Sequence, residues 1–236
     1  MTISIIIPTL NEEKNIPLLL DHLFLYKTDA VVEIIVVDAN STDDTKTVAS
    51  KYDVVFLESK IMSRAVQMNI GAKNASGDVL YFVHADTLPP KSFCQDILQA
   101  IDEGMDLGGY RFKFVSSKPI LKINSWFTRF NLLTFRGGDQ TLFIRKDCFL
   151  DLKQYNEKYS IMEEYDLLLR AEKEKCKFKL IPKDVLVSDR KYECNSYFRV
   201  NIANLIAMKM FKRGYEPDRI KKIYFKLLDH PKSESA

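Results

Sequence analysis

Three short polar segments each follow an apolar run, and their residue types suit the holding of an anion through a cation. Pro8-Thr9-Leu10-Asn11-Glu12 follows Ile3 to Ile7, Asp38-Ala39-Asn40-Ser41 follows Val32 to Val37, and His84-Ala85-Asp86 follows Val79 to Val83. One carboxylate, joined by phosphate oxygens and water, makes an ordinary shell for magnesium or manganese. No G-x-G-x-x-G turn follows the first apolar run, and no G-x-x-x-x-G-K-[ST] loop occurs in the chain. A phosphate-bearing ligand would therefore need a metal and basic side chains in place of a cradle of backbone N–H groups. Each segment also has a plainer reading. Asn11 can cap a helix with Glu12 at its positive end, Asp38 can close a turn, and Asp86 can cap the segment after it.

These segments meet only if the apolar runs are neighbouring strands of one sheet. In an open parallel sheet, ligands bind beyond the carboxyl ends of the strands. Strands are expected at 3–7, ended by Pro8, and at 32–37, 54–57 and 79–83. Helices are expected between them: 12–26 with Leu18, Leu19 and Leu23 inward, 43–52 capped by Ser41 or Thr42, and 63–75 with Ala65, Met68 and Ala72 on one face. Pro89-Pro90 opens another, whose apolar face carries Phe93, Ile97 and Ile101. This alternation indicates an α/β fold around a mostly parallel sheet. The second half is less regular. It reads as a strand at 110–115, an aromatic-rich helix at 120–133, a turn at 137–139, a strand at 141–144, a helix at 164–175, and two helices over 197–228 broken near Gly214 and Pro217.

The bulk properties fit one α/β domain. A chain of 236 residues that is 46% hydrophobic can bury a substantial core. With 35 Lys+Arg against 32 Asp+Glu, the net charge of +3 gives no reason to expect a nucleic-acid partner. Cys94, Cys148, Cys176 and Cys194 form no C-x-x-C pair, which fits reduced thiols in the cytoplasm. The N-terminus lacks the basic and apolar regions of a signal peptide, and no run approaches the ~18 apolar residues of a membrane span. Residues 207–228 carry seven Lys+Arg and two acids, a local charge of +5, interleaved with apolar residues. Such a stretch either covers the sheet with its lysines in water or rests on an anionic membrane, where a lipid-linked molecule would be in reach.

Four blocks in order carry a resemblance: Ile5-Ile6-Ile7-Pro8-Thr9-Leu10-Asn11-Glu12, Glu33 through Asp43, Asn69-Ile70-Gly71-Ala72, and Gly77 through Asp86. Together they resemble a family 2 glycosyltransferase of the GT-A fold. Ser63-Arg64-Ala65-Val66-Gln67-Met68-Asn69 with His84-Ala85-Asp86-Thr87 is similar to one bacterial branch of that family. The resemblance implies a GT-A, Rossmann-like mixed sheet with helices on both faces over residues 1–195, and a C-terminal helical extension, 196–236, packed on the same domain. It implies inverting transfer of a hexosyl or N-acetylhexosaminyl group from a nucleotide-sugar donor, UDP-linked by preference, to a hydroxyl acceptor, with manganese or magnesium as cofactor.

The resemblance also assigns roles. Pro8, Thr9 and Glu12 would line the nucleotide pocket, Asp38 would accept a hydrogen bond from the base, and Arg64 would approach base or diphosphate. Asp86 matches the last acid of the family's D-x-D metal motif, while His84 stands where many relatives carry the first, as a partner behind the metal or a packed strand-end histidine. Ile161-Met162-Glu163-Glu164 resembles the family's "ED" segment, with Glu164 as the base that deprotonates the acceptor and Glu163 as the alternative; an ordinary acidic first turn is the plainer reading. Arg190 and Lys191 are candidate diphosphate contacts or a solvated basic pair. Gly137-Gly138-Asp139-Gln140 is a candidate acceptor rim or a plain turn, and Trp126, Phe127, Phe130 and Phe135 are core or acceptor wall. Two competing readings stay open: a non-catalytic sugar-nucleotide-binding scaffold, and a sugar nucleotidyltransferase, which would normally show a glycine-rich basic loop after the first strand.

Overall fold

The computed structural model describes residues 1–116, 118, 120, 121 and 141–229. Among them, eight strands form one sheet: β1 (Ile3–Thr9), β2 (Val31–Asp38), β3 (Val55–Glu58), β4 (Val79–Phe82), β5 (Thr87–Leu88), β6 (Leu107–Val115), β7 (Leu142–Arg145) and β8 (Phe178–Ser188). Their order is β3-β2-β1-β4-β7-β6-β8-β5. The first four in that order run parallel. β7 enters antiparallel between β4 and β6, β8 runs parallel to β6, and β5 closes the edge antiparallel to β8. The sheet is therefore mixed, and parallel where the polar segments leave it.

The helices are α1 (Ile16–Tyr26), α2 (Thr45–Ala49), α3 (Arg64–Asn74), α4 (Phe93–Asp102), α5 (Lys146–Asp151), α6 (Glu163–Lys173), α7 (Tyr197–Lys212) and α8 (Pro217–Leu227). They cover both faces, which explains why β1 is buried at every position. Side chains alternate along a strand, so an unbroken apolar run needs apolar cover on each side. Ile3, Ile5 and Ile7 share a core with Leu19, Leu20 and Leu23 of α1 and Phe93 and Ile97 of α4. Ile6 points the other way, into a core with Ala65 and Met68 of α3, Phe149 of α5 and Leu167 of α6.

α3 is clamped to the sheet by two residues of its own motif and to a loop by a third. Gly71 sits so close to β1 that a Cβ there would meet Ile6 Cγ2 at 2.4 Å. Gln67 Nε2 donates to the carbonyl oxygens of Thr9 (2.8 Å) and Val37 (2.7 Å), tying the ends of β1 and β2 together. Asn69 exchanges hydrogen bonds with the backbone of Tyr155, at 2.9 and 3.0 Å, fixing the loop that precedes α6.

Several expected boundaries move for local reasons. β1 runs through Pro8 to Thr9, and α1 begins at Ile16 rather than Glu12. Asn11 takes a left-handed φ of 54°, and Glu12 donates its N–H to Thr45 Oγ1 instead of entering a helix. Leu18 faces solvent; the buried face is Ile16, Leu19, Leu20 and Leu23. α2 is shorter than 43–52, and neither Ser41 nor Thr42 caps it. Those side chains serve Asp38 and Asn11, and Asp43 accepts from Thr45 N at 3.0 Å. β6 starts three residues earlier than expected, at Leu107. β8 escaped notice because Pro182 interrupts its pattern; there the pairing with β6 shifts register, skipping from Ile181 to Asp184. The expected helix at 120–133 lies, but for its first two residues, outside the described residues, as does the turn at 137–139. All four cysteines are free thiols.

The hairpin of α7 and α8 packs across the sheet end. Val200, Ala203 and Leu228 join the first core, while Ala207, Met208, Met210, Phe211 and Ile220 gather with Tyr159, Ile161 and Tyr165 beside the start of α6. Gly71→Ala tests the clamp on β1: overpacking against Ile6 should lower unfolding free energy by about 1–3 kcal/mol, read by urea denaturation.

Candidate active site

The loops after β1 and β2 are built as one piece. Asn11 and Asn40 both take left-handed backbone, which asparagine tolerates better than most residues. Asn11 N donates to Ser41 Oγ at 2.8 Å, and Thr42 N donates back to Asn11 Oδ1 at 2.8 Å. Asp38 anchors the junction, accepting from Ser41 N (2.8 Å), Ser41 Oγ (2.5 Å) and Thr9 Oγ1 (3.1 Å). It is buried beneath the loops, and does not line the cavity above them.

That cavity, about 550 Å³, opens at the carboxyl ends of β1 and β4. Of the residues singled out in the sequence, Pro8, Thr9, Glu12, Arg64, His84, Asp86, Arg190 and Lys191 line it. Asp38, Glu163 and Glu164 stand behind its wall. The short 3-10 turn Arg190–Tyr192 follows β8 and carries its cations into the cavity. Arg190 grips Glu12 in a bidentate pair at 2.9 and 3.3 Å, and its Nη2 lies 4.0 Å from Asp86 Oδ2. Burial raises the Glu12 pKa; Arg190 opposes that rise without cancelling it. Lys191 contacts the hydroxyl of Tyr224 and lies 5.1 Å above its ring.

The tail forms part of the cavity wall, which its sequence does not indicate. Lys221, Tyr224, Phe225 and Leu228 of the α8 region line the cavity, as do Ser160 and Ile161 before α6. Tyr224 is visible in sequence as an apolar tail residue, but no spacing rule joins residue 224 to the end of β1. The expected rim at 137–140 and the aromatic residues 126, 127, 130 and 135 lie outside the described residues.

A second acidic pair opens α6. Met162, in left-handed backbone at φ 70°, turns the chain so that Glu163 and Glu164 fall in the first helical turn, at the positive end of the helix. Glu164 Oε1 is 3.3 Å from His84 Nε2. Burial alone would lower the His84 pKa, but the carboxylate beside it raises the pKa overall; burial raises that of Glu164. Glu163 Oε1 lies 3.0 Å from Arg64 Nε, an ion pair by distance, while among the described residues no donor makes a hydrogen bond to either Glu163 oxygen.

A divalent metal fits here on one condition. Among the described residues, no group of three His, Cys, Asp or Glu could enclose a cation. Of the described carboxylates that line the cavity, Glu12 is gripped by Arg190 and Asp229 by Arg199, whereas Asp86 offers a hard oxygen with its side chain 26% exposed and Arg190 no nearer than 4.0 Å. That donor set suits magnesium or manganese shared with phosphate oxygens and water, not an ion held by protein alone.

A parallel β2–β1–β4 core with carboxylates and a basic turn around one cavity is the arrangement of an α/β protein whose ligand site lies at the carboxyl ends of its strands. The sequence profile of Glycosyl transferase family 2 matches residues 4–159, and the chain belongs to that family. An uncharacterized glycosyltransferase of Haemophilus influenzae is 26% identical over 181 residues, 71% of this chain and 61% of its own length. The chain thus spans less than two thirds of that curated relative. Among solved structures, S. aureus TarS in complex with UDP-GlcNAc superposes with a TM-score of 0.67 at 21% identity, covering 96% of this chain and 71% of the other. Glucosyl-3-phosphoglycerate synthase from Mycobacterium tuberculosis, with Mn2+, UDP and phosphoglyceric acid, gives 0.64 at 18% identity, covering 91% and 79%. These likenesses make the fold GT-A.

Arg190→Gln tests the cavity's electrostatics. It leaves Glu12 buried without its cation, so Glu12 should hold its proton to still higher pH. A raised carboxylate pKa stabilises the folded state at acid pH, and that contribution is lost as pH rises through the folded value. The variant should therefore lose about 1–3 kcal/mol near neutral pH and little at pH 4, by denaturation at both.

Proposed function

We propose that this chain transfers a hexosyl or N-acetylhexosaminyl group from a UDP-linked donor to a hydroxyl acceptor, with inversion at the anomeric carbon. The observation that carries this reading is the meeting of Thr9, Glu12, Asp86 and Arg190 on one 550 Å³ cavity at parallel strand ends. Family membership supports glycosyl transfer, and the UDP-GlcNAc and UDP complexes of its structural neighbours support the uridine donor. Residues 1–195 would be the transferase domain and 196–236 a helical extension that completes its cavity.

In this reading Pro8, Thr9 and Glu12 hold the nucleoside, and Asp38, buried beneath them, acts by fixing the loops and not by touching the base. Arg64 borders the base or diphosphate. Arg190 and Lys191 face the diphosphate, which gives Arg190 a further anion besides Glu12 and Asp86. Asp86 would hold manganese or magnesium jointly with that diphosphate, and the cation would neutralise charge on the leaving group. Glu164 takes the acceptor proton by way of His84, its neighbour at 3.3 Å on the cavity wall, as the hydroxyl oxygen bonds to the anomeric carbon and the carbon–diphosphate bond breaks on the opposite side. His84 orients Glu164.

Kinetics test these assignments. Glu164→Gln should lower kcat by about 100-fold or more with UDP affinity near normal; the same result from Glu163→Gln instead would move the base by one residue. Burial holds the Glu164 pKa above the ordinary carboxylate value, so kcat should fall with falling pH along a limb above 4.5. Calorimetry should find Mn2+ strengthening UDP binding in the native chain and not in Asp86→Ala. UDP binding without turnover across a donor–acceptor panel would make the chain a sugar-nucleotide scaffold instead.

A further inference from the structure

α7 is apolar on two opposite faces. Its inner face, with Val200, Ala203, Ala207 and Phe211, is buried in the cores described above. Its outer face carries Phe198, Ile202 and Leu205 at 69%, 53% and 66% exposure. Spaced i, i+4 and i+7, these three form one stripe along the helix. Exposed Lys209 and Lys212 continue that face through the last turn, and exposed Arg213 follows. Single exposed apolar residues are ordinary, but three large ones in register on a helix whose other face is already buried mark an interaction surface.

Charge selects the partner. Residues 207–228 carry +5 of a chain whose total is +3, so everything else sums to −2. The positive charge is concentrated beside the stripe. A second copy would bring two such segments together and repel. An anionic lipid surface complements both features, taking the apolar side chains at the acyl boundary and the lysines among the headgroups. We propose that the outer face of α7, with the basic turn that ends it, docks this chain on an anionic membrane. α8, packed beside α7, lends Lys221, Tyr224 and Phe225 to the cavity wall, so docking would set the cavity mouth near the bilayer.

Co-sedimentation with vesicles tests this without any donor, so its outcome is separate from that of glycosyl transfer. The full chain should bind vesicles of equal parts phosphatidylcholine and phosphatidylglycerol about ten-fold or more tighter than phosphatidylcholine alone, and less tightly at high salt. The triple variant Phe198→Ser, Ile202→Ser, Leu205→Ser should lose that binding, as should Lys209→Glu, Lys212→Glu, Arg213→Glu, with thermal melts close to native. Equal binding to both vesicle types, or full binding by the triple serine variant, would overturn the proposal. So would a dimer in sedimentation equilibrium that the serine variant dissolves while native protein ignores vesicles.

Discussion

Five carboxylates crowd the carboxyl end of this sheet; Asp38 is held by hydrogen bonds, and each of the other four is tolerated because a basic side chain stands opposite. Arg190 faces Glu12 and, at 4.0 Å, Asp86; Arg64 faces Glu163; His84 faces Glu164. Removing charge from water is costly unless it is paired, so these cations are conditions of the fold as well as of the site. In the proposed function the same arrangement would serve a diphosphate. An incoming anion finds Arg190 and Lys191 already placed, and a hard cation could share its charge between Asp86 and the phosphate oxygens.

That balance depends on local architecture that looks merely structural. Gln67 binds the ends of β1 and β2, Gly71 lets α3 approach Ile6, and Asn69 holds the loop that leads to α6. All three lie in the segment that resembles a family motif, yet Asn69 and Gly71 touch no part of the cavity, and Gln67 spends its amide on backbone. Their work is to keep three loops at fixed distances. Asp38 acts in the same manner, accepting three hydrogen bonds that weld the loop after β2 to the loop after β1.

The parallel half of the fold was readable because it is made of short apolar runs ending in polar residues, and each run is covered on both faces. The convergence of Glu12 and Asp86 follows from that pattern alone. What sequence did not disclose depends on long-range contact. β8 hides behind Pro182 and a register shift. Arg190 read first as half of a solvated basic pair and second as a diphosphate contact, and its pairing with Glu12 joins positions 178 residues apart. The helices of the tail were legible as helices, with their break near Gly214 and Pro217, but their place against the cavity was not. Leu18 misled because a run of leucines in α1 exceeds the width of its buried face.

The central claim is that strand-end acids and the turn after β8 form one diphosphate site around a shared cation. A crystal structure of the chain grown with UDP and Mn2+, with the metal located by its anomalous scattering, tests it most directly. The account predicts a manganese peak within coordination distance of Asp86 and the diphosphate, with Arg190 turned toward the phosphates. Manganese away from Asp86, or UDP bound outside the cavity lined by Thr9 and Glu12, would contradict it.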